Sequence, residues 1–265
     1  MIGRIERKLS VFEEPRPAAY GRQLPHPEAT PIAAHARLFN YPPCSETRTL
    51  ADVPRLGLKT CFVSNSFAAY RVQALREVGG FASDLILAED MHLAARLLLA
   101  GHAVRYQAEA VVYHSHNQSL VEEFQRYFDT GVFHAQQTWL TERFGGAGRE
   151  GLKFLRSEIL HLLRHAPWRL PEAGLRTLLK ALAFRLGRGH ARLPRAWRPL
   201  PTTPSVSASG LAMYLVAMPL AAPVRKAPIA NTCTMAQSSP VSSLYRQNIR
   251  PALLPNTAVL EIFTP

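Results

Sequence analysis

Three short clusters of side chains in the middle of the chain have types that could do chemistry. They are Ser64-Asn65-Ser66, Glu89-Asp90 and His114-Ser115-His116. A carboxylate can remove a proton from a hydroxyl group as a general base. Histidines at alternate positions of a strand lie on one face, so a His-x-His pair can bind one metal ion. These residues also have structural explanations, since acids favour the first turn of a helix and paired histidines are often structural.

The motifs of other common reaction classes are absent from the sequence. It contains no Gly-x-Ser-x-Gly nucleophile elbow, no Walker loop and no Gly-x-Gly-x-x-Gly. Three widely spaced cysteines, Cys44, Cys61 and Cys233, exclude a disulfide scaffold and a cysteine zinc knuckle, and they suit a reducing compartment. A structural zinc site stays open, in which His92, His102 or Cys61 would join the His-x-His pair.

Hydrophobic spacing and turn residues predict the elements that must position these clusters. The predicted strands cover residues 60–64, 66–71, 104–106 and 110–113. The predicted helices cover residues 32–38, 72–78, 89–100 and 120–133. The two carboxylates therefore open a helix, and the histidines follow a strand.

The composition is that of a globular protein. The chain has 265 residues, of which 47% are hydrophobic and 19% charged. No run of about 18 apolar residues is present to span a bilayer. The N-terminus has no apolar stretch typical of a secretory signal, so we expect a cytoplasmic location.

The positive charge is concentrated in one segment. Residues 1–139 carry no net charge, whereas residues 140–200 carry +9. Apolar residues at helical spacing predict two amphipathic helices here, separated at Pro167. Such a segment can bind an anionic membrane surface or form a solvated helical face packed on the body. Nucleic acid is disfavoured because aromatic residues for base stacking are sparse.

Several blocks occur together in an order that resembles a known family. Phe62-Val-Ser-Asn-Ser-Phe-Ala-Ala-Tyr-Arg71, Glu77-Val-Gly-Gly-Phe81, Ala88-Glu-Asp90 and Val112-Tyr-His114 resemble the C-terminal half of family 2 glycosyltransferases with a GT-A fold. Further blocks at 20–26, 30–41, 114–117 and 126–134 are similar to a bacterial rhamnosyltransferase subgroup. The resemblance covers roughly residues 11–198 and implies an α/β fold, a truncated GT-A domain followed by basic amphipathic helices.

The resemblance also implies roles for particular residues. Asp90, beside Glu89, would be the general base for an inverting attack on the anomeric carbon of a nucleotide-diphospho-sugar. His114, with His116 as a second candidate, would contact a divalent metal, Mg or Mn. The sugar would be rhamnose or a similar one, and the acceptor a cell-surface glycan or lipid-linked molecule. Two further residues, Arg126 and Asn65, would contact the diphosphate or the acceptor.

The sequence departs from the family at both ends. No two of its aspartates are separated by one residue, so the Asp-x-Asp motif of the nucleotide-binding half is missing. We therefore expect a C-terminal half-domain over 1–140, a basic helical segment over 141–200, and a Pro/Ser-rich tail over 201–265 that is disordered or frameshifted. An exposed sheet edge is expected where strands of the missing half would pair.

These departures leave two interpretations of the chain's activity. One is a glycosyltransferase impaired by truncation, so that its own enzymatic activity is undecided. The other is a non-catalytic membrane-surface binding module, peripheral on the inner membrane face.

Overall fold

The computed structural model describes residues 17–146 and 148–193, together with the strand segments 215–217 and 256–260. Within them the chain forms one mixed sheet in the order β2-β4-β1-β3-β6-β5. The strands are β1 Ala18–Leu24, β2 Glu46–Arg48, β3 Ala68–Arg71, β4 Val104–Tyr113, β5 Leu215–Ala217 and β6 Asn256–Leu260. Strands β1 and β4 are parallel, and the other neighbouring pairs are antiparallel.

Helices lie between and after the strands, which confirms the predicted α/β class. They are α1 Pro31–Asn40, α2 Val53–Leu56, α3 Val72–Glu77, α4 Glu89–Leu99, α5 Leu120–Gln136, α6 Thr138–Phe144, α7 Gly148–His165 and α8 Leu170–Arg188. The Thr30 hydroxyl caps α1 by accepting from the Ala33 N–H at 3.3 Å. Ser119 and Glu122 form a capping box at the start of α5.

The strand predicted over residues 60–64 is wrong. Gly57–Cys61 is a 3₁₀ turn, and a second 3₁₀ turn covers Asn65–Phe67. The backbone carbonyls here bind side chains instead of a neighbouring strand. The buried Arg48 guanidinium donates to the Lys59 and Phe62 carbonyls at 2.9 and 3.1 Å. These contacts satisfy the backbone without a sheet.

The two strands predicted over 104–106 and 110–113 form one strand, β4. Its pairing with β1 shifts between Gly21 and Arg22, where the partners change from Gln107 to Val111. A Cβ at Gly21 would collide with the Phe67 ring and the Ala110 carbonyl. The bulge therefore accounts for the break in the hydrophobic pattern of β4.

The main core joins the sheet to α4 and α6. Its largest fully buried side chains include Tyr20, Tyr70, Leu97, Phe133 and Phe144. The apolar face of α4 is buried along its whole length, so the core fixes the position of the carboxylates at its first turn.

The two predicted basic helices are present as α7 and α8. Helix α7 packs against α1, and α8 packs along α5. Gly131 of α5 and Gly187 of α8 meet at the crossing, where a Cβ on either would collide with the backbone of the other helix. Among the described residues, no helix combines the length and the apolar character needed to cross a bilayer.

Two further findings concern the cysteines and the tail. Cys61 is a free, buried thiol and Cys44 is disulfide-bonded, whereas the cysteine spacing suits a reducing compartment. Strands β5 and β6 fall in the segment predicted to be a disordered or frameshifted tail, and β6 pairs with β3. The remaining residues of 194–265 lie outside the described part of the chain, as do residues 1–16.

Candidate active site

The two carboxylates lie in the first turn of α4, as predicted. Ala88, directly before them, has φ of +60° and is in the left-handed region. A non-glycine residue is strained there, and such strain is often found at functional sites. Asp90 Oδ1 accepts from the Met91 N–H at 2.7 Å and Oδ2 from the Asn65 N–H at 3.2 Å. The carboxyl group is therefore held from both sides by backbone donors.

Asn65 connects the carboxylates to the sheet. Its side-chain Nδ2 lies 3.4 Å from Glu89 Oε1, and its Oδ1 accepts from the Tyr70 hydroxyl at 2.8 Å. Tyr70 is a fully buried residue of β3, so the orientation of the amide is fixed by the core. Asn65, which was predicted to contact diphosphate or acceptor, thus positions Glu89 through its side chain and Asp90 through its backbone N–H.

The pKa of Asp90 is shifted toward neutral pH. Burial raises its pKa to about 6, and the adjacent Glu89 charge contributes in the same direction. The two backbone donors and the Arg126 charge oppose the shift. A carboxylate that titrates near the working pH is well suited to general-base chemistry.

The two histidines follow β4, as the sequence predicts. The His114 N–H donates to the Leu24 carbonyl at 2.8 Å, which extends the pairing of β4 with β1. The Nε2 atoms of His114 and His116 are 3.1 Å apart, with the rings at 89°. Ser66 Oγ lies 3.2 Å from His114 Nε2. Since Ser66 directly follows Asn65, one turn contacts both the histidines and the carboxylates.

Positive charge surrounds this histidine pair. The pKa of His114 is lowered to about 4, first by burial and then by the charges of Arg37, His116, His26 and Arg126. The pKa of His116 is also lowered, again by burial first and then by Arg37 and Arg126. Both imidazoles are therefore neutral at pH 7, which is the form that binds metal ions.

The histidine pair fits two adjacent positions of a metal ion. Two nitrogen ligands at about 2.1 Å from one metal lie about 3 Å apart when they are cis. No group of three His, Cys, Asp or Glu able to hold a metal occurs in the described ranges. The zinc site left open by the sequence is not formed there, since the Cys61 thiol donates to the Leu58 carbonyl and His102 contacts Glu77.

Arg126 lies close enough to act electrostatically on both the carboxylates and the histidines of the site. Its charge affects the pKa of Asp90, of His114 and of His116. It is a residue of α5, beyond the capping box. The predicted residue thus belongs to the same region as the carboxylates and histidines.

Sequence reasoning missed Arg37 and Gln23. Arg37 of α1 donates to Gln23 Oε1 at 2.8 Å, and Gln23 Nε2 donates to Ser64 Oγ at 2.8 Å. This chain of hydrogen bonds brings a second guanidinium to the histidines. Arg37 lies within the block over 30–41 that is similar to the rhamnosyltransferase subgroup, and this similarity was the one sequence feature that could have indicated it. Nothing in its spacing indicated a role. Together, Arg37 and Arg126 form a cationic group that can bind an anion beside the two neutral histidines and the carboxylate base.

Comparison with known proteins matches these residues to one family. The model of glycosyl transferase family group 2 matches residues 55–221. The O-antigen chain rhamnosyltransferase RfbN of Salmonella typhimurium is 52% identical over 191 residues, which are 72% of this chain and 61% of the relative. The O-antigen chain rhamnosyltransferase WbaN of Salmonella anatum is 51% identical over 191 residues, with the same coverage. The chain thus spans about three fifths of the length of these relatives. No solved structure gives a significant match.

Proposed function

Because the chain belongs to glycosyl transferase family group 2, we propose that it carries the acceptor-activating half of an inverting rhamnosyltransferase. The donor would be a nucleotide-diphospho-sugar, with rhamnose or a similar sugar. The acceptor would be a cell-surface glycan or a lipid-linked molecule. The observation that carries the proposal is Asp90, held by two backbone donors with a pKa of about 6 beside a cationic group.

Asp90 would act as the general base. Its carboxylate takes the proton of an acceptor hydroxyl while that oxygen forms a bond to the anomeric carbon. The bond from this carbon to the diphosphate oxygen breaks, and its electron pair leaves with the nucleotide diphosphate. Glu89 acts on Asp90 through its charge, because a neighbouring negative charge makes the base stronger.

The cationic group would receive the leaving diphosphate. Arg126 and Arg37 supply the positive charge, and their guanidinium groups can donate several hydrogen bonds to phosphate oxygens. His114 and His116 would hold the divalent metal, Mg or Mn, through their neutral imidazole nitrogens. When bound, the metal supplies charge neutralisation for the departing diphosphate.

Donor binding by this chain alone is proposed to be weak. The sequence has no Asp-x-Asp motif to share the metal with the donor. Calorimetry with thymidine-diphosphate-rhamnose and Mn²⁺ tests this directly. Heat that fits a micromolar dissociation constant would overturn the proposal of an impaired donor site.

A chimera tests the transfer function itself. The matching segment of the Salmonella typhimurium relative is replaced by residues 17–193 of this chain, so that the donor-binding part comes from the relative. We expect the chimera to transfer rhamnose to the relative's acceptor. A folded chimera that binds donor without transferring sugar would contradict the proposed role of this half.

A second candidate function is a membrane-surface binding module, with the chain peripheral on the inner face of the membrane. The observation that favours it is the exposure of large apolar side chains on α7 and α8. This function is compatible with the first, since a lipid-linked acceptor lies at such a surface.

A further inference from the structure

Helix α8 turns two of its charged side chains, Arg176 and Lys180, toward the body and three of its leucines outward. Arg176 and Lys180 are each only 15% exposed, and both pair with Glu123 of α5 at 2.8 Å. Leu175, Leu178 and Leu182 are exposed on the other side. The side of α8 that faces the body carries the buried small residues Ala173, Ala183 and Gly187, so these larger leucine side chains remain on the exposed side.

The outward direction of these leucines is fixed by packing. Positions 175, 178 and 182 follow helical spacing and form one stripe. Turning the stripe inward would break the ion pairs of Arg176 and Lys180 and leave the largely buried Glu123 carboxylate without a partner, at high cost. It would also separate Gly131 from Gly187, where the two helices are in backbone contact. The stripe is therefore held as a surface of the part of the chain that the structure describes.

The exposed apolar surface continues beyond α8. Trp168, in the link between α7 and α8, is 73% exposed, and Leu152 of α7 is 70% exposed. Indole rings favour the boundary between lipid and water, because one end is apolar and the other is a hydrogen-bond donor.

The charge around this surface is positive. Residues 148–193 contain ten Arg and Lys but three Glu. None of the three acids presents a free negative charge at this surface. Glu158 is buried, and each of the other two forms two ion pairs. The pairs are Glu150 with Lys59 and Lys153, and Glu172 with Arg169 and Arg176. Arg185 and Arg188 follow the leucine stripe on the same exposed side of α8.

We propose that the stripe of Leu175, Leu178 and Leu182, with Trp168 beside it, docks on an anionic lipid bilayer. The leucines would enter the boundary of the acyl chains, and Arg185 and Arg188 would contact the headgroups. A second copy of the chain fits less well, because it would bring these arginines together. The inference deepens the membrane-surface candidate and does not depend on catalysis by Asp90.

Vesicle flotation of the full chain tests the docking surface. We expect binding to vesicles that contain one third phosphatidylglycerol and little binding to pure phosphatidylcholine. Leu175→Ser combined with Leu178→Ser should lower the partition coefficient at least about tenfold, since each leucine loses its burial in lipid. Arg185→Gln combined with Arg188→Gln should lower it by roughly fivefold for each charge.

A matched control and an oligomer measurement complete the test. Leu50→Ser removes an exposed leucine outside α7 and α8 and should leave the partition unchanged. Equal binding of the leucine double variant and the unmodified chain would overturn the proposal. Light scattering could also overturn it. If the unmodified chain is a dimer and the leucine double variant is a monomer, a second copy of the chain covers the stripe. If the unmodified chain does not bind vesicles while the chimera transfers sugar normally, the docking proposal is overturned and the catalytic proposal is unaffected.

Discussion

The backbone N–H of Asn65 donates to Oδ2 of Asp90 at 3.2 Å, across 25 residues of sequence. Through this bond the turn after the Cys61 region holds the candidate base at the start of α4. The next residue of the turn, Ser66, contacts His114. One short turn therefore contacts both the Asp90 carboxylate and the His114 imidazole, the two groups to which we assign the base and the metal ligand.

Burial of Asp90 should cost stability at neutral pH. Its pKa in the folded chain is about 6, against 3.8 for an unperturbed aspartate. The folded state therefore holds the proton more tightly than the unfolded state, so stability is lost as pH rises through about 4 to 6. Asp90→Asn should raise the free energy of unfolding by about 2 kcal/mol near pH 8 and by almost nothing near pH 4. Urea unfolding at both pH values measures it, and a gain that is equal at both would contradict the pKa shift.

The buried Arg48 should be essential for stability. It donates to the Tyr20 hydroxyl at 2.7 Å and to two backbone carbonyls, and it pairs with Glu46. Arg48→Met should lower the free energy of unfolding by about 3 kcal/mol, because it leaves buried polar groups without partners. Arg55→Met is the control, since Arg55 pairs with the same Glu46 but is 57% exposed, and it should cost under about 1 kcal/mol. Similar losses for the two variants in urea unfolding would refute this account.

The crossing of α5 and α8 should tolerate no side chain. Gly131→Ala or Gly187→Ala should each cost about 2 kcal/mol, because the added methyl group forces the helices apart. Gly174 is a control on α8 with open space around its Cβ position, and Gly174→Ala should stabilise the chain by roughly 0.5 to 1 kcal/mol. Thermal unfolding of the three variants gives the comparison, and equal effects at positions 174 and 187 would argue against the close crossing.

The histidine pair should dominate binding of Mn²⁺. His114→Ala and His116→Ala should each weaken it at least tenfold. His102→Ala should have no effect, because His102 contacts Glu77 away from the pair. Titration followed by electron paramagnetic resonance of free Mn²⁺ measures the affinity. Unchanged affinity in both histidine variants would place the metal elsewhere.

Local patterns predicted the elements that carry the site but not the contacts within it. Acids before an apolar 3.6-residue period gave the start of α4, and a strand pattern placed His114 at the end of β4. The chain from Arg37 through Gln23 to Ser64 joins three separate elements, and no local spacing reveals such a contact. The strand expected over 60–64 does not form, because the Arg48 guanidinium, from an earlier element, binds the backbone carbonyls of Lys59 and Phe62.

Helix α8 shows the same limit of sequence reasoning. Its leucine period correctly predicted a helix, yet the period does not say which side faces the body. Arg176 pairs with Glu123, 53 residues earlier, and this long-range ion pair turned the leucines outward. The side that a helix buries depends on its partner as much as on its own pattern.

The central claim is that Asp90 is the base for sugar transfer. The most direct test is the turnover number of the chimera as a function of pH, for Asp90→Asn and for the control Asp84→Asn at an exposed position. We expect the unmodified chimera to gain activity as pH rises through about 6, as Asp90 loses its proton. Asp90→Asn should lose at least about a hundredfold in turnover, the usual contribution of a general base, while Asp84→Asn keeps full activity. Substantial transfer by a folded Asp90→Asn chimera would contradict the account.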